Sequence, residues 1–223
     1  KDELFEIFDY CKKQGGFPLC TPWDLQSLQD LEEYGMPAYK VASADLVNVD
    51  LLCAIARTGK PLICSTGMSY YQEIINAVEL LKNNGAQYVL LQCNSAYPAP
   101  FKDINLKFMK RLEKIGDCIV GYSGHERHFH VSIAAVALGA KVIEKHFTLD
   151  RTMEGNDHRI SLLPNEFKEM VNQIREIEEA VGSSSANRTV SQGELMNREI
   201  LGKSITINCD LSKGKKIKES MLE

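Results

Sequence analysis

The chain has 223 residues, 26 Lys and Arg against 30 Asp and Glu for a formal charge of −4, and 44% hydrophobic residues. That balance excludes a disordered, collagen-like or coiled-coil chain and fits one large globular domain or two small ones. The absence of a basic block argues against a general nucleic-acid binder, and the longest small or apolar run, 133–140, falls well short of the roughly 20 residues of a membrane helix.

In chain order, KDELFEIFDYCKKQGG spaces Leu4, Phe5, Phe8 and Cys11 as one helical face ahead of a Gly pair. No secretory leader precedes it, and the opening at Lys1 leads us to expect chain upstream of it. Six strand candidates follow: 16–20, 38–42, 61–65, 88–93, 118–122 and 141–147. Their middles are 22 to 30 residues apart, the length of one strand-helix unit, and amphipathic stretches fill the gaps with Leu25, Leu28 and Leu31 on one face, Ile74, Val78 and Leu81 on the next, and Met109, Leu112 and Ile115 on a third. Gly35, Gly85, Gly116 and Gly139 stand where left-handed helix ends are expected. Six such units without a hairpin signal predict an α/β fold with a parallel sheet. A long helix is expected from Pro164, ending at Gly182. Residues 183–197 read as a linker and 198–223 as the start of a β-rich module. The seven cysteines, none in CxxC spacing, read as buried thiols of a reducing compartment, most simply the cytoplasm.

The C-terminal strand ends carry the chemistry-bearing groups: Thr21; Lys40, Ser43 and Asp45; Ser65 and Thr66; Asn94, Ser95 and Tyr97; Ser123 and His125; Glu144, His146 and Thr148. In a closed barrel these ends meet at one mouth; in an open sheet they form a crevice. His125 and His146 follow neighbouring strands and suit either a divalent metal with open positions or one acid/base histidine beside one structural histidine. His128 and His130 read as a solvated surface, and the loop MEGNDHR (153–159), with His158, as a source of substrate contacts. Lys40, in an apolar strand, reads as an anion clamp or as a Schiff-base nucleophile.

The strings CTPWD (20–24), YKVASAD (39–45), STGM (65–68), LQCNSAYPAP (91–100), GYSGH (121–125), IEKHFTLDR (143–151) and GNDH (155–158), in this order, resemble the N-acetylneuraminate (sialic acid) synthase family. The resemblance implies a (β/α)8 TIM-type barrel over 1–182, incomplete here at six of eight units, and then an antifreeze-like domain. It implies a domain-swapped homodimer at full length and condensation of phosphoenolpyruvate with an N-acyl amino sugar to a sialic-acid-type product and phosphate. Its divalent metal, usually manganese, is implied to sit on His125 and His146. Lys40, Ser65 and Ser123 match phosphoenolpyruvate contacts, Thr21 and Ser95 lie near its phosphate or carboxylate, Tyr97 and Asp157 match acceptor contacts, and Asp45 stands where the family often has a Glu acid/base. Gly124 replaces a common Asp, and Asn94 a common Thr. The family's first two strands, with a Lys and a Gln, and the antifreeze-domain Arg are missing, so the chain alone is expected to be inactive. The alternatives are a Schiff-base aldolase using Lys40 and a non-catalytic module that binds an acidic or phosphorylated metabolite.

Overall fold

Alternating apolar runs and amphipathic stretches become a sheet wrapped by helices. In the computed structural model, which describes residues 1–184 and 187–223, helices α1 (Asp2–Lys13) and α2 (Leu25–Tyr34) precede strand β1 (Tyr39–Val41). There follow α3 (Val49–Arg57), β2 (Leu62–Ser65), α4 (Tyr71–Asn83), β3 (Tyr88–Cys93), the short α5 (Phe101–Ile104) and α6 (Met109–Gly116). Then come β4 (Val120–Gly124), α7 (His130–Ala137), β5 (Val142–Lys145) and α8 (Pro164–Val181). All neighbouring strands are parallel and lie in sequence order, β1-β2-β3-β4-β5. Such an ordered parallel arc with helical crossovers is part of a (β/α) barrel of TIM type, about half of one.

Strand residues Leu62, Leu90, Val120 and Tyr122 pack with Leu52, Ile55, Ile74, Leu81, Met109 and Leu112 of the helices into one buried core. Each fully buried aliphatic side chain contributes about 1.5–3 kcal/mol. The helices start on polar caps: Asp24 Oδ1 accepts from Ser27 N at 2.7 Å, Glu73 from Tyr70 N at 2.6 Å and Glu166 from Leu163 N at 2.8 Å.

The first expected strand, 16–20, contributes only a bridge from Cys20 to Tyr39 and a hydrogen bond from Lys40 N to Cys20 O at 3.1 Å. Pro18 has no N–H to lend a ladder, and Phe17 is exposed. The last expected strand stops at Lys145, and Phe147 bridges Leu162 instead. Gly35, Gly85 and Gly139 do take positive φ, but after α6 it is Asp117 that does so, at φ +50°. Gly116 stays inside the helix, where a Cβ would lie 2.5 Å from Cys118 Sγ and 3.0 Å from Leu90 Cδ1.

Residues Ser183–Glu223 form a separate compact unit. Its helix α9 (Gln192–Leu201) occupies part of the stretch expected to be linker; residues 185 and 186 of that stretch lie outside the described ones. Ser191 and Glu194 cap α9 reciprocally, at 2.9 and 3.3 Å, a Ser-x-x-Glu signature present in the sequence. The expected β character is one short antiparallel pairing, with Thr206 and Glu223 exchanging bonds of 2.9 and 3.0 Å. Among the described residues no helix is long and apolar enough to cross a membrane.

The cysteines are free thiols. Burial pushes the Cys64 thiol up to about 12, whereas Cys209 is exposed. Iodoacetamide at pH 8 should therefore label Cys209 in the native protein and reach Cys64 only after denaturation, as read by peptide mass spectrometry. Equal native labelling of the two would contradict this packing.

Candidate active site

The polar strand ends converge. Thr21, Lys40, Ser65, Ser95, Tyr97, Ser123, His125, His146 and Asp157 all line one cavity of about 450 Å³. Asp45 does not. It ends the 3₁₀ turn Ser43–Asp45, where its Oδ1 accepts from Asn48 Nδ2 at 3.1 Å and its Oδ2 is buried without a partner. At 3.0 residues per turn, side chains two apart point in different directions, and Ser43 takes the cavity position.

At one end of the cavity Lys40 Nζ donates to Ser65 Oγ at 2.8 Å and to Val41 O at 3.1 Å, and lies 3.4 Å from Glu144 Oε2. Glu144 Oε1 accepts from Ser123 Oγ at 3.2 Å. The parallel register sets Ser123 beside Glu144 and Cys93 beside Ser123, so four strand ends supply one ammonium, one carboxylate and two hydroxyls to a single patch.

Beside it, the His125 and His146 rings are 5.1 Å apart, centroid to centroid, and Tyr97 stacks on His125 at 4.2 Å. His125 Nδ1 is 2.7 Å from the Asn94 carbonyl. A carbonyl can only accept, so Nδ1 carries the proton and Nε2 presents its lone pair beside Tyr97 Oη, 3.1 Å away. Burial, and then His125, hold His146 below the ordinary imidazole pKa; its Nδ1 lies 3.6 Å from Asp157 Oδ2. Burial also opposes protonation of His125, but Cys93, the Asn94 carbonyl and Glu144 outweigh it, and its pKa is raised. Burial likewise opposes ionisation of Cys93, and His125 with the Ser43 and Ser123 hydroxyls reverses the balance. Among the described residues no group of three or more His, Cys, Asp or Glu surrounds one point. Two imidazoles, His125 with its tautomer fixed by the Asn94 carbonyl, fit a divalent transition metal that takes its remaining ligands from water or substrate.

Directly behind the histidines lies a second network. Strand alternation turns Ser123 and His125 to the cavity and Tyr122, Gly124 and Glu126 to the opposite face, where Lys145 arrives from β5. Lys145 Nζ donates to Glu126 Oε1 at 3.0 Å and to Glu126 O at 2.8 Å, and Tyr122 Oη donates to Glu126 Oε2 at 2.5 Å. Both charged side chains are 0% exposed. Burial lowers the Lys145 pKa, with Glu126 acting against it. Gly124 makes room, since a Cβ there would lie 2.6 Å from Glu126 Oε2 and 2.8 Å from Tyr122 Cε1.

Sequence reasoning noted Ser43 and Glu144 as polar strand ends without giving them a site role, and it missed Cys93, Trp23 and Met68 in the cavity wall and Glu126 with Lys145 behind it. The alternation Glu144-x-His146 was the signal for Glu144. His158, in the loop expected to contact substrate, instead meets Thr148 Oγ1 at 2.7 Å, while its neighbour Asp157 lines the cavity. Removing one partner of the buried pair, as in Glu126→Gln or Lys145→Met, should cost about 3–5 kcal/mol in denaturant unfolding. Lys145→Met with Glu126→Leu should cost less than the sum; additive losses would refute the pairing.

The sequence model of the NeuB family matches residues 1–186. The N,N'-diacetyllegionaminic acid synthase of Campylobacter jejuni is 43% identical over 220 residues, covering 97% of this chain and 65% of that protein. The human N-acetylneuraminate-9-phosphate synthase is 36% identical over 222 residues, 99% of this chain and 61% of that one. The chain thus spans 55 to 65% of the length of such relatives. Among solved structures, the N-acetylneuraminic acid (sialic acid) synthetase of Leptospira borgpetersenii, in complex with citrate, superposes with a TM-score of 0.83 at 33% identity, covering 91% of this chain and 72% of that one.

Proposed function

Since the chain belongs to the NeuB family, we propose that it carries the phosphoenolpyruvate and metal sites of an enzyme condensing phosphoenolpyruvate with an N-acyl amino sugar to a nonulosonic acid and phosphate. The observation that carries this reading is the single cavity in which Lys40, Ser65 and Ser123 stand next to His125 and His146. A cation with hydroxyl donors suits phosphate and carboxylate groups, and an open imidazole pair suits an aldehyde oxygen.

Lys40 and the two serines bind and orient phosphoenolpyruvate, a positioning and electrostatic role. His125 and His146 would hold the divalent metal, manganese by resemblance, which when bound supplies Lewis acidity at the acceptor aldehyde. Tyr97 and Asp157 hold the acceptor so that its aldehyde carbon faces carbon 3 of phosphoenolpyruvate. A carbon–carbon bond forms there, water adds at carbon 2, and phosphate leaves by cleavage of the carbon 2–oxygen bond. The aldehyde oxygen ends as a hydroxyl, taking one proton. The acid–base role sits better on Glu144, which lines the cavity, than on Asp45, which does not.

In the full-length protein, His125→Ala and His146→Ala should each abolish manganese-dependent phosphate release, and Lys40→Met should lower kcat/KM for phosphoenolpyruvate by about 10²–10³-fold. Full activity in both histidine variants would refute the assignment. Lys40 is already ion-paired with Glu144, which favours the clamp over the Schiff-base reading. Borohydride with pyruvate should leave Lys40 unmodified, and a covalent adduct there would reverse that choice.

A further inference from the structure

The cavity does not end at Asp157. Tyr97 and Asp157 are shared with a second cavity of about 600 Å³, whose far wall holds Arg127 and Arg159 beside Asn156. Arg127 extends from the loop after β4, and Arg159 closes the 3₁₀ turn Asp157–Arg159. A third concavity of about 300 Å³, reached past the same two arginines, adds His128 and Arg151.

These cations are not equivalent. Arg151 is committed: its Nε donates to Ser161 O at 3.0 Å and its guanidinium pairs with Glu166. Arg127 and Arg159 make no hydrogen bond or ion pair with any described residue. The one carboxylate in the wall, Asp157, is directed at His146, 3.6 Å away. Two guanidinium forks therefore face one concavity without a counter-charge, on the acceptor side of the imidazole pair and away from Lys40. Guanidinium groups favour bidentate pairing with planar or tetrahedral oxyanions, and the neutral hydroxyls of a sugar give them no charge to meet.

We propose that Arg127 and Arg159 form an anion-binding annex for a phosphate or carboxylate carried by the acceptor at the end remote from its aldehyde. The acceptor class is then an anionic N-acyl hexosamine, and the site has a cation at each end: Lys40 for phosphoenolpyruvate and the arginine pair for the acceptor's tail. This rests on the condensation reading above for the identity of the acceptor, but the binding itself can be read without any reaction.

The test uses the full-length protein and reduced acceptors, whose aldehyde has become an alcohol and which cannot condense. Calorimetry compares N-acetylmannosaminitol 6-phosphate, the corresponding 6-carboxylate and the uncharged alditol. The annex predicts that one charged probe binds about ten- to a hundredfold tighter than the uncharged one, and that Arg127→Gln with Arg159→Gln removes this preference; the charged probe that binds tighter identifies the anion. Equal binding of all three probes would overturn the annex, and a preference that survives the double substitution would overturn its assignment to these arginines. Phosphate release with the unreduced acceptors is scored separately: charge-dependent binding without any condensation would refute the proposed reaction while leaving the annex in place.

Discussion

The site depends on the buried pair between Lys145 and Glu126. Two charges removed from water are costly unless each is matched and hydrogen-bonded, and here both conditions are met: the ammonium has two oxygens of Glu126, and the carboxylate also has the Tyr122 hydroxyl. The pair ties the end of β4 to the end of β5 one residue beyond His125 and one residue before His146. Any slip between the strands would leave a buried charge without its partner, so the relative position of the two imidazoles is set from behind, by groups that never reach the cavity.

The same alternation that separates the two faces divides their work. Cavity-facing positions supply Ser123, His125, Glu144 and His146; the opposite positions supply packing and the ion pair. Gly124 is the hinge of this arrangement in a chemical sense. The volume a side chain would need at this position is occupied by the Glu126 carboxylate.

Strand order and the convergence of nine polar residues were legible, because apolar runs at regular spacing define parallel units and each unit ends at the same edge. Asp45 was not, because a single 3₁₀ turn after β1 turns it away, and periodicity does not register a turn that short. The strand at 16–20 was over-read, since Pro18 breaks its donor pattern. Lys145 and Glu126 could have been found by the reasoning applied to Lys40: a lysine inside an apolar strand requires an anion, and Lys145 sits in VIEKHF. The helix over 192–201 was announced by its Ser-x-x-Glu cap and masked by the Gly and Ser residues before it.

Lys40 is the feature with the widest consequence. Its ammonium already has a counter-charge in Glu144, 3.4 Å away, so an arriving anion does not fill a vacancy but competes in an exchange. What the ligand gains there is the difference between its own attraction and that of the resident carboxylate, and it must also tolerate that carboxylate as a neighbour. Such an arrangement discounts singly charged acids, which offer no more than Glu144 does, and rewards groups of higher charge density that also recruit the Ser65 and Ser123 hydroxyls. Selectivity among the many small acids of a cell is thereby written into the site as an internal competitor.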